Sequence, residues 1–447
     1  MLALLLLVCA ATALKAPSSL PRQYGNFTLN RLQRTRTKLA EPSELKVTQN
    51  VVNLTRADTA VSVSSTYTQN GTTPLISLEG GQVFLANVLV GGQEYSLVID
   101  TGSSDPWLAV TDFSCYDPID DAPLDQYLCE FGPLYHSTQS STFVPIADQN
   151  FNISYADGEY LTGSLAYESF RMAGIDVPNQ QFGVVDQAAW YGDGISSGLV
   201  GFAYRTLTSA YAGSDPTSDR KGRTMLYNPL FVNMYENEGV PTVFSMAIDR
   251  IQSNGGVLAI GGIPDIPHAP YWANTEIHPV SVNTTSGEPV YEFYTIDVDG
   301  FAISTSTSTQ FNPYDNDNPY KTPLVGNDTD VIVDSGTSLC YVPDDVAAEL
   351  ADAFDPPATW DASTYAYFVD CDATAPVFGV SIEEKIFFVN AEDIIIQIND
   401  NLCVTGIQPN LGGLNILGGT FMKNVLTVFD IGAEQLRFAA RQFYPTS

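Results

Sequence analysis

Positive charge is scarce in this sequence. Its 447 residues carry 19 Lys and Arg against 51 Asp and Glu, a formal net charge of −32 at pH 7. The scarcity is uneven. Lys15, Arg22, Arg31, Arg34, Arg36, Lys38, Lys46 and Arg56 stand in the first 60 positions, opposed only by Glu41, Glu44 and Asp58. Beyond them, 11 basic residues face 48 acidic ones. Such a surface repels phosphate backbones and anionic lipid, which excludes nucleic acid and anionic membranes as partners. It also repels itself at neutral pH and is relieved in acid, where carboxylates protonate. Solubility alone is the competing reason for the acidity.

Long apolar runs are lacking as well. Met1 to Leu14 is almost wholly apolar, but a membrane-spanning helix needs about 20 residues. The run ends in Ala10-Ala11-Thr12-Ala13 and reads as a secretory signal peptide cleaved near Ala13 or Ala16, although its start lacks the usual positive charge. No later run is long enough for a membrane span, and the tail from Arg437 to Ser447 lacks the hydrophobic end of a lipid-anchor signal. Cysteine is sparse. Cys9 leaves with the signal peptide, Cys115 and Cys129 stand close enough to close a small loop, and Cys371 and Cys403 can close a larger one. Two disulfides suit a secreted chain. Cys340 is left over, either buried and inert or bonded to another molecule. Asn-X-Ser/Thr sequons at Asn26, Asn53, Asn70, Asn152, Asn283 and Asn327 fit a secreted glycoprotein.

What is abundant is β-strand pattern with Gly and Pro punctuation. Val83 to Val90, a Gly91-Gly92 turn and Tyr95 to Ile99 predict a hairpin. Short runs follow at Phe143–Ile146, Phe151–Tyr155, Leu161–Tyr167 and Gln181–Val185. With 34 Gly and 27 Pro in the chain, the fold class is mostly β. Two helices are predicted, over Pro229–Asn237 and over Asp344–Phe354, the second behind Pro343 with acidic residues in its first turn. Residues 17 to about 70 are basic, polar and weakly patterned, and read as a propeptide or a disordered tail. Ser304 to Asp330 reads as a long surface insertion.

One stretch occurs twice. Val98-Ile99-Asp100-Thr101-Gly102-Ser103-Ser104 returns as Ile332-Val333-Asp334-Ser335-Gly336-Thr337-Ser338. Average residue usage yields the core of this pattern by chance in roughly a few per cent of chains this long, so two copies behind strand-like runs are no accident. Each copy has an echo: Gly198-Leu199-Val200-Gly201 answers Asn415-Ile416-Leu417-Gly418, apolar-apolar-Gly steps that suit a strand passing close to another backbone. Two related lobes are implied, with a seam near Gly261-Gly262-Ile263-Pro264.

Two Asp on Gly-containing turns, brought together by similar lobes, make a carboxyl dyad. Like charges at close range cannot both ionise readily, so the pair shares one proton and titrates as a unit. That chemistry suits amide hydrolysis in acid: the ionised carboxyl takes a proton from an attacking water, and the protonated one hydrogen-bonds the developing oxyanion. No metal, cofactor or covalent intermediate is required. Gly102 and Gly336 permit the tight turn. Thr101 and Ser335 are candidates to bond across the lobe interface, and Ser103 and Thr337 to bond the outer carboxylate oxygens.

In these motifs the sequence resembles the pepsin-like aspartic proteases, and the fungal secreted members most closely, over nearly all of the chain from about Leu75 to Phe443. The resemblance implies a bilobal acid-protease fold with a central cleft, catalytic Asp100 and Asp334, and a flap at Ile153-Ser154-Tyr155-Ala156-Asp157-Gly158. Tyr155 matches the flap tyrosine and Trp107 its indole partner. It implies disulfides Cys115–Cys129 and Cys371–Cys403. It further implies peptide substrates, sensitivity to pepstatin-type inhibitors, a monomer, and a propeptide that fills the cleft. The organisation expected is a signal peptide over 1–16, a propeptide over 17–72, an N-terminal lobe over 73–263 and a C-terminal lobe over 264–447. The destination is the cell exterior or a vacuole-like acidic compartment.

Departures from the family pattern are Ala156 in place of a flap Gly, Ser335 in place of Thr, Pro106 before Trp107, and the unmatched Cys340. The acidic flap residues Asp157 and Glu159 imply a taste for Lys or Arg beside the cleaved bond. A catalytically silent binding or inhibitor relative is the alternative, but it would normally carry a damaged dyad or flap, and both are intact.

Overall fold

The computed structural model describes residues 43–58, 82–220, 222–250, 255–283, 286–305, 324–399 and 401–441. The expected signal peptide, most of the expected propeptide, the sequons Asn26 and Asn70 and the middle of the Ser304–Asp330 insertion lie outside them.

Among the described residues the chain is mostly strand. One sheet has 15 strands, and four smaller sheets accompany it. Alternation explains why the strands are so apolar. In Gln82–Val90, Phe84, Ala86, Val88 and Val90 enter the largest core cluster, while Leu85 enters a second one. In Gln93–Asp100, Leu97 and Ile99 face the first cluster and Val98 the second. A strand with a core on each face reads as a continuous hydrophobic run, because successive side chains point to opposite sides.

Both repeats fold alike. Leu97–Asp100 runs parallel to Gly198–Gly201, which pairs antiparallel with Pro106–Leu108. In the second half Ile332 and Val333 run parallel to Ile416 and Leu417, and Ile416 pairs antiparallel with Tyr341. The echoed glycines are forced by this threading. A Cβ on Gly198 would stand 2.0 Å from the Trp107 carbonyl oxygen, and one on Gly418 would stand 2.1 Å from that of Leu339.

The large sheet joins the two halves. Val243–Ile248 pairs with Val425–Asp430, and the Phe244 and Phe429 rings stack at 4.4 Å. Phe202, Phe231 and Tyr294 pack around them. Val51–Asp58, within the expected propeptide, is a strand between Gln82–Val90 and Gly256–Ile260. Ser43 anchors its approach: its N–H and hydroxyl donate to buried Asp430 at 2.9 and 2.6 Å.

One sequence-level expectation changes. Phe143–Ile146 and Phe151–Tyr155 belong to one strand, Val144–Ser154, with a register shift between Ile146 and Asn150. Asp148 sits there at φ 57°, so the polar interruption is a bulge and not a turn. The helices span Leu230–Asn237 and Asp344–Asp352, close to expectation. Both expected disulfides form, with Cα separations of 5.9 and 5.2 Å, and Cys340 is a buried free thiol whose pKa burial pushes up to about 12.

Candidate active site

Gln93–Asp100 ends on Asp100, and Thr329–Val333 ends one residue short of Asp334. The two loops meet face to face. A Cβ on Gly102 would lie 2.6 Å from the Asp334 carboxyl, and one on Gly336 would lie 2.4 Å from Asp100 Oδ1. Glycine at each position is what lets the carboxyls approach each other.

The hydrogen bonds repeat across the pair. Gly102 N–H donates to Asp100 Oδ1 at 2.7 Å, and Ser103 Oγ donates to Oδ2. Gly336 N–H donates to Asp334 Oδ1 at 2.9 Å, and Thr337 Oγ1 to Oδ2 at 2.5 Å. Beneath them Thr101 and Ser335 interlock. Thr101 Oγ1 donates to the Val333 carbonyl at 3.0 Å and accepts from Ser335 N–H at 2.9 Å. Ser335 Oγ donates to the Ile99 carbonyl at 2.7 Å and accepts from Thr101 N–H at 3.1 Å. Both hydroxyl residues are fully buried, so each half of the chain fixes the other's loop.

Burial, more than any other cause, pushes the Asp100 carboxyl well above the usual range. The Asp334 charge and the hydrogen bond between the two carboxyls push the same way, while Ser103 and Gly102 pull it down. This is a dyad that holds a proton.

Near it lies the hairpin between Val144–Ser154 and Tyr160–Met172, whose Tyr155 feels the Asp100 charge. Its turn closes with Tyr155 N–H on the Glu159 carbonyl at 2.8 Å and Glu159 N–H on Asp157 Oδ1 at 3.1 Å. Gly158 adopts φ 102°, which a side chain would resist. Ala156 is exposed at the tip. Trp107 Nε1–H donates to Tyr155 Oη at 2.8 Å. Trp190 packs edge-on to both rings, at 5.2 Å from Trp107 and 5.6 Å from Tyr155, with Phe131 stacked on Trp190.

The two flap acids differ in exposure, although their side chains also interact. Glu159 is buried, and its carboxylate accepts from Tyr191 N–H at 2.7 Å. Asp157 stays partly exposed. Desolvation raises its pKa, and its charge is felt by Tyr341 of the second half.

Several participants carried no signal in the sequence. Asp105 is fully buried under the first loop and bonds Tyr227 and Ser209. Trp190 and Phe131 looked like ordinary aromatics. Their partners lie tens to over a hundred residues away. Apart from the dyad, His278, Asp297 and Asp330 form a cluster with metal-ligating chemistry. Asp297 approaches Nε2 at 3.4 Å and Asp330 approaches Nδ1 at 3.6 Å. The carboxylates therefore flank the ring, an arrangement suited to an imidazolium.

The chain is similar to known proteins. Residues 83–441 match the family model described as eukaryotic aspartyl protease. A probable aspartic-type endopeptidase of Aspergillus fumigatus is 38% identical over 411 residues, covering 89% of this chain and 87% of the relative. Rhizopuspepsin of Rhizopus chinensis is 25% identical, with 83% of this chain and 81% of the relative covered. Candidapepsin of Candida tropicalis is 24% identical, with 84% and 83% covered. The crystal structure of an aspartic proteinase from Irpex lacteus superposes with a TM-score of 0.58 at 19% identity, over 81% of this chain and 95% of that one. The architecture is thus the pepsin-like fold.

Proposed function

The chain belongs to the eukaryotic aspartyl protease family and is an aspartic-type endopeptidase, and on that premise we propose that it is a secreted enzyme, made as a zymogen, that cleaves protein substrates in acid through Asp100 and Asp334. The observation that carries this reading is the mutual approach of two carboxyls, each held by a Gly N–H and a hydroxyl in the same pattern.

In this reading a water sits between the carboxyls. The ionised member of the pair takes its proton as the oxygen attacks the peptide carbonyl carbon. The protonated member hydrogen-bonds the oxygen on which charge develops. The C–N bond then breaks, a proton passes to the leaving nitrogen, and a new carboxyl and amine are released. Tyr155 and Trp107 steady the flap over the substrate, with Ala156, Asp157 and Gly158 at its tip supplying contacts. The chain acts as a monomer and takes pepstatin-type inhibitors.

The organisation we propose is a signal peptide over 1–16, a propeptide over 17–72, and catalytic lobes over 73–263 and 264–447. The propeptide's basic residues pair with the acidic body at neutral pH. Acid protonates the carboxylates, weakens those pairs and frees the leader for self-cleavage. The surplus of positive charge before position 60 supports this.

Digestion of an unfolded protein at pH 3 to 5, with and without pepstatin, tests the activity. The expected result is pepstatin-blocked cleavage that is abolished in Asp100→Asn. Wild-type protein inert across that range would refute the reading. Purified Asp100→Asn protein should also keep its leader in acid, and maturation at the wild-type rate would refute self-processing.

A further inference from the structure

Behind the first catalytic loop lies a carboxyl that the reaction as described does not use. Asp105 follows Asp100 by five positions and is fully buried. Its Oδ1 accepts from Tyr227 Oη at 2.5 Å and from Ser209 N–H at 2.9 Å, and its Oδ2 lies 3.1 Å from the same N–H. Tyr227 is itself buried, in the cluster that contains Trp107, Phe151 and Ile153.

Ser209 has a second role. Its carbonyl accepts from Asn152 N–H at 3.1 Å, and the adjoining Ala210 pairs with Phe151. Both belong to Val144–Ser154, the strand that carries the flap. A path of three residues thus runs from the catalytic loop through Asp105 and Ser209 to the root of the flap. Trp107, two positions after Asp105, holds the flap's Tyr155 from the same segment. Backbone bonds fix the segment in turn: Gly201 N–H donates to the Asp105 carbonyl at 3.1 Å and Phe202 N–H to that of Asp100 at 2.7 Å.

We propose that Asp105 is a positioning residue for the reaction, whose carboxyl, gripped by Tyr227 and Ser209, sets the height of the flap over the Asp100–Asp334 pair. The proposal rests on the endopeptidase reading given above. An uncharged carboxyl suits the role. Its Oδ1 still accepts from Tyr227 Oη and Ser209 N–H when the other oxygen carries the proton, and it adds no charge beneath the dyad. Burial pushes its pKa up to about 6, against the pull of Tyr227 and Ser209, so in acid it is neutral. Above that pH it ionises in a patch it shares with Tyr227, with Tyr155 and with two further acids, Asp100 and Glu159, whose charges also bear on Tyr155. The new negative charge opposes loss of the dyad's remaining proton and so carries the working arrangement to higher pH.

Asparagine is the neutral shape-mimic of the protonated acid: its oxygen can accept from Tyr227 Oη and Ser209 N–H as Oδ1 does here. Three matured proteins, wild type, Asp105→Ala and Asp105→Asn, should be compared on one peptide from pH 3 to 7. At pH 4, KM is expected to rise about tenfold in Asp105→Ala with kcat changed less than about threefold, since loss of flap placement removes binding common to ground and transition states. Asp105→Asn should rescue most of that rise. Its kcat/KM should also fall off at a pH about half a unit or more below the wild-type limit, because the neighbouring charge that holds the dyad's proton is gone. A purely structural role moves folding stability and leaves the alkaline limb in place. Superposable wild-type and Asp105→Asn limbs, or a wild-type KM in Asp105→Ala, would overturn the proposal. Failure of the endopeptidase reading shows separately, as an inactive wild type.

Discussion

Ser335 and Thr101 carry more than their size suggests. Each hydroxyl both donates and accepts across the junction of the two halves, in a site closed to water. Removing the Ser335 hydroxyl deletes two of these bonds and leaves the buried Thr101 N–H without its acceptor. An unsatisfied buried donor costs about 1–3 kcal/mol beyond the bond itself. Ser335→Ala is therefore expected to lose about 2–4 kcal/mol in urea unfolding and to lower kcat, whereas Ser335→Thr, which keeps the hydroxyl, should retain both. Asp105 has a stability consequence of its own. Its folded pKa of about 6 lies above the ordinary 3.8, so the native state holds a proton that the unfolded chain gives up. The stabilisation is fully present below about pH 4 and is lost as pH rises through 6, a total of about 3 kcal/mol. Stability measured from pH 4 to 7 should fall less steeply in Asp105→Asn than in wild type by that amount. The residues around Asp100 and Asp334 were legible in the sequence because each loop is contiguous and its glycine and hydroxyls act on the adjacent carboxyl. Asp105 stands inside the same stretch, yet its meaning depends on Tyr227, 122 positions away, and no local pattern reports such a partner.

The flap shows the same limit at the level of an element. Its hairpin was expected from the family resemblance that Tyr155 helps to carry, and Gly158 meets the turn's local requirement. The exposure of the flap's acidic side chains was not legible. Asp157 and Glu159 are two apart, and the sequence offers them equally as partners for a basic substrate residue. Folding distinguishes them by exposure: Glu159 is buried with its carboxylate on Tyr191 N–H, and Asp157 stays partly exposed at the tip. Any preference for Lys before the cleaved bond therefore falls to Asp157. On matched peptides, Asp157→Ala is expected to cut kcat/KM for the Lys peptide about fivefold or more and that for the Leu peptide little, the size of a partly screened ion pair. Equal losses on both peptides would show that Asp157 serves the turn and not the substrate. The runs Phe143–Ile146 and Phe151–Tyr155 look separate in the sequence for a related reason. Polar residues interrupting a strand look alike whether the chain turns or merely bulges, and the choice is made by the neighbouring strand, here Tyr160–Met172.

The whole molecule works only if its halves keep their relative placement, since neither carboxyl has a partner without the other. Aromatic packing supplies part of the hold, through Phe244 on Phe429. A buried ionic contact supplies another part. Arg250, just past Val243–Ile248, reaches Asp393 in the second half, with Nη2 at 2.6 Å from Oδ2 and Nε at 3.2 Å from both oxygens. Asn424 joins both partners, accepting from Arg250 at 2.9 Å and donating to Asp393 at 2.9 Å, and Lys423 Nζ lies 3.9 Å away. The Asp393 side chain is 2% exposed and that of Arg250 is 11% exposed, so solvent screens the pair little. In a chain with so few cations, placing two of them here indicates a site that needs them. Breaking a buried pair from one side leaves the other charge uncompensated, at a cost of about 3–5 kcal/mol, while replacing both members by apolar residues can be close to neutral. Arg250→Met is accordingly expected to lose about 3–5 kcal/mol in urea unfolding at pH 5 and to weaken pepstatin binding, because the halves no longer hold the cleft at its working width. The double variant Arg250→Met, Asp393→Leu should recover part of the stability, because it also removes the carboxylate beside buried Lys423. If pepstatin affinity recovers with it, the pair acts by holding the halves together; if stability returns without affinity, the ion pair itself sets the cleft geometry.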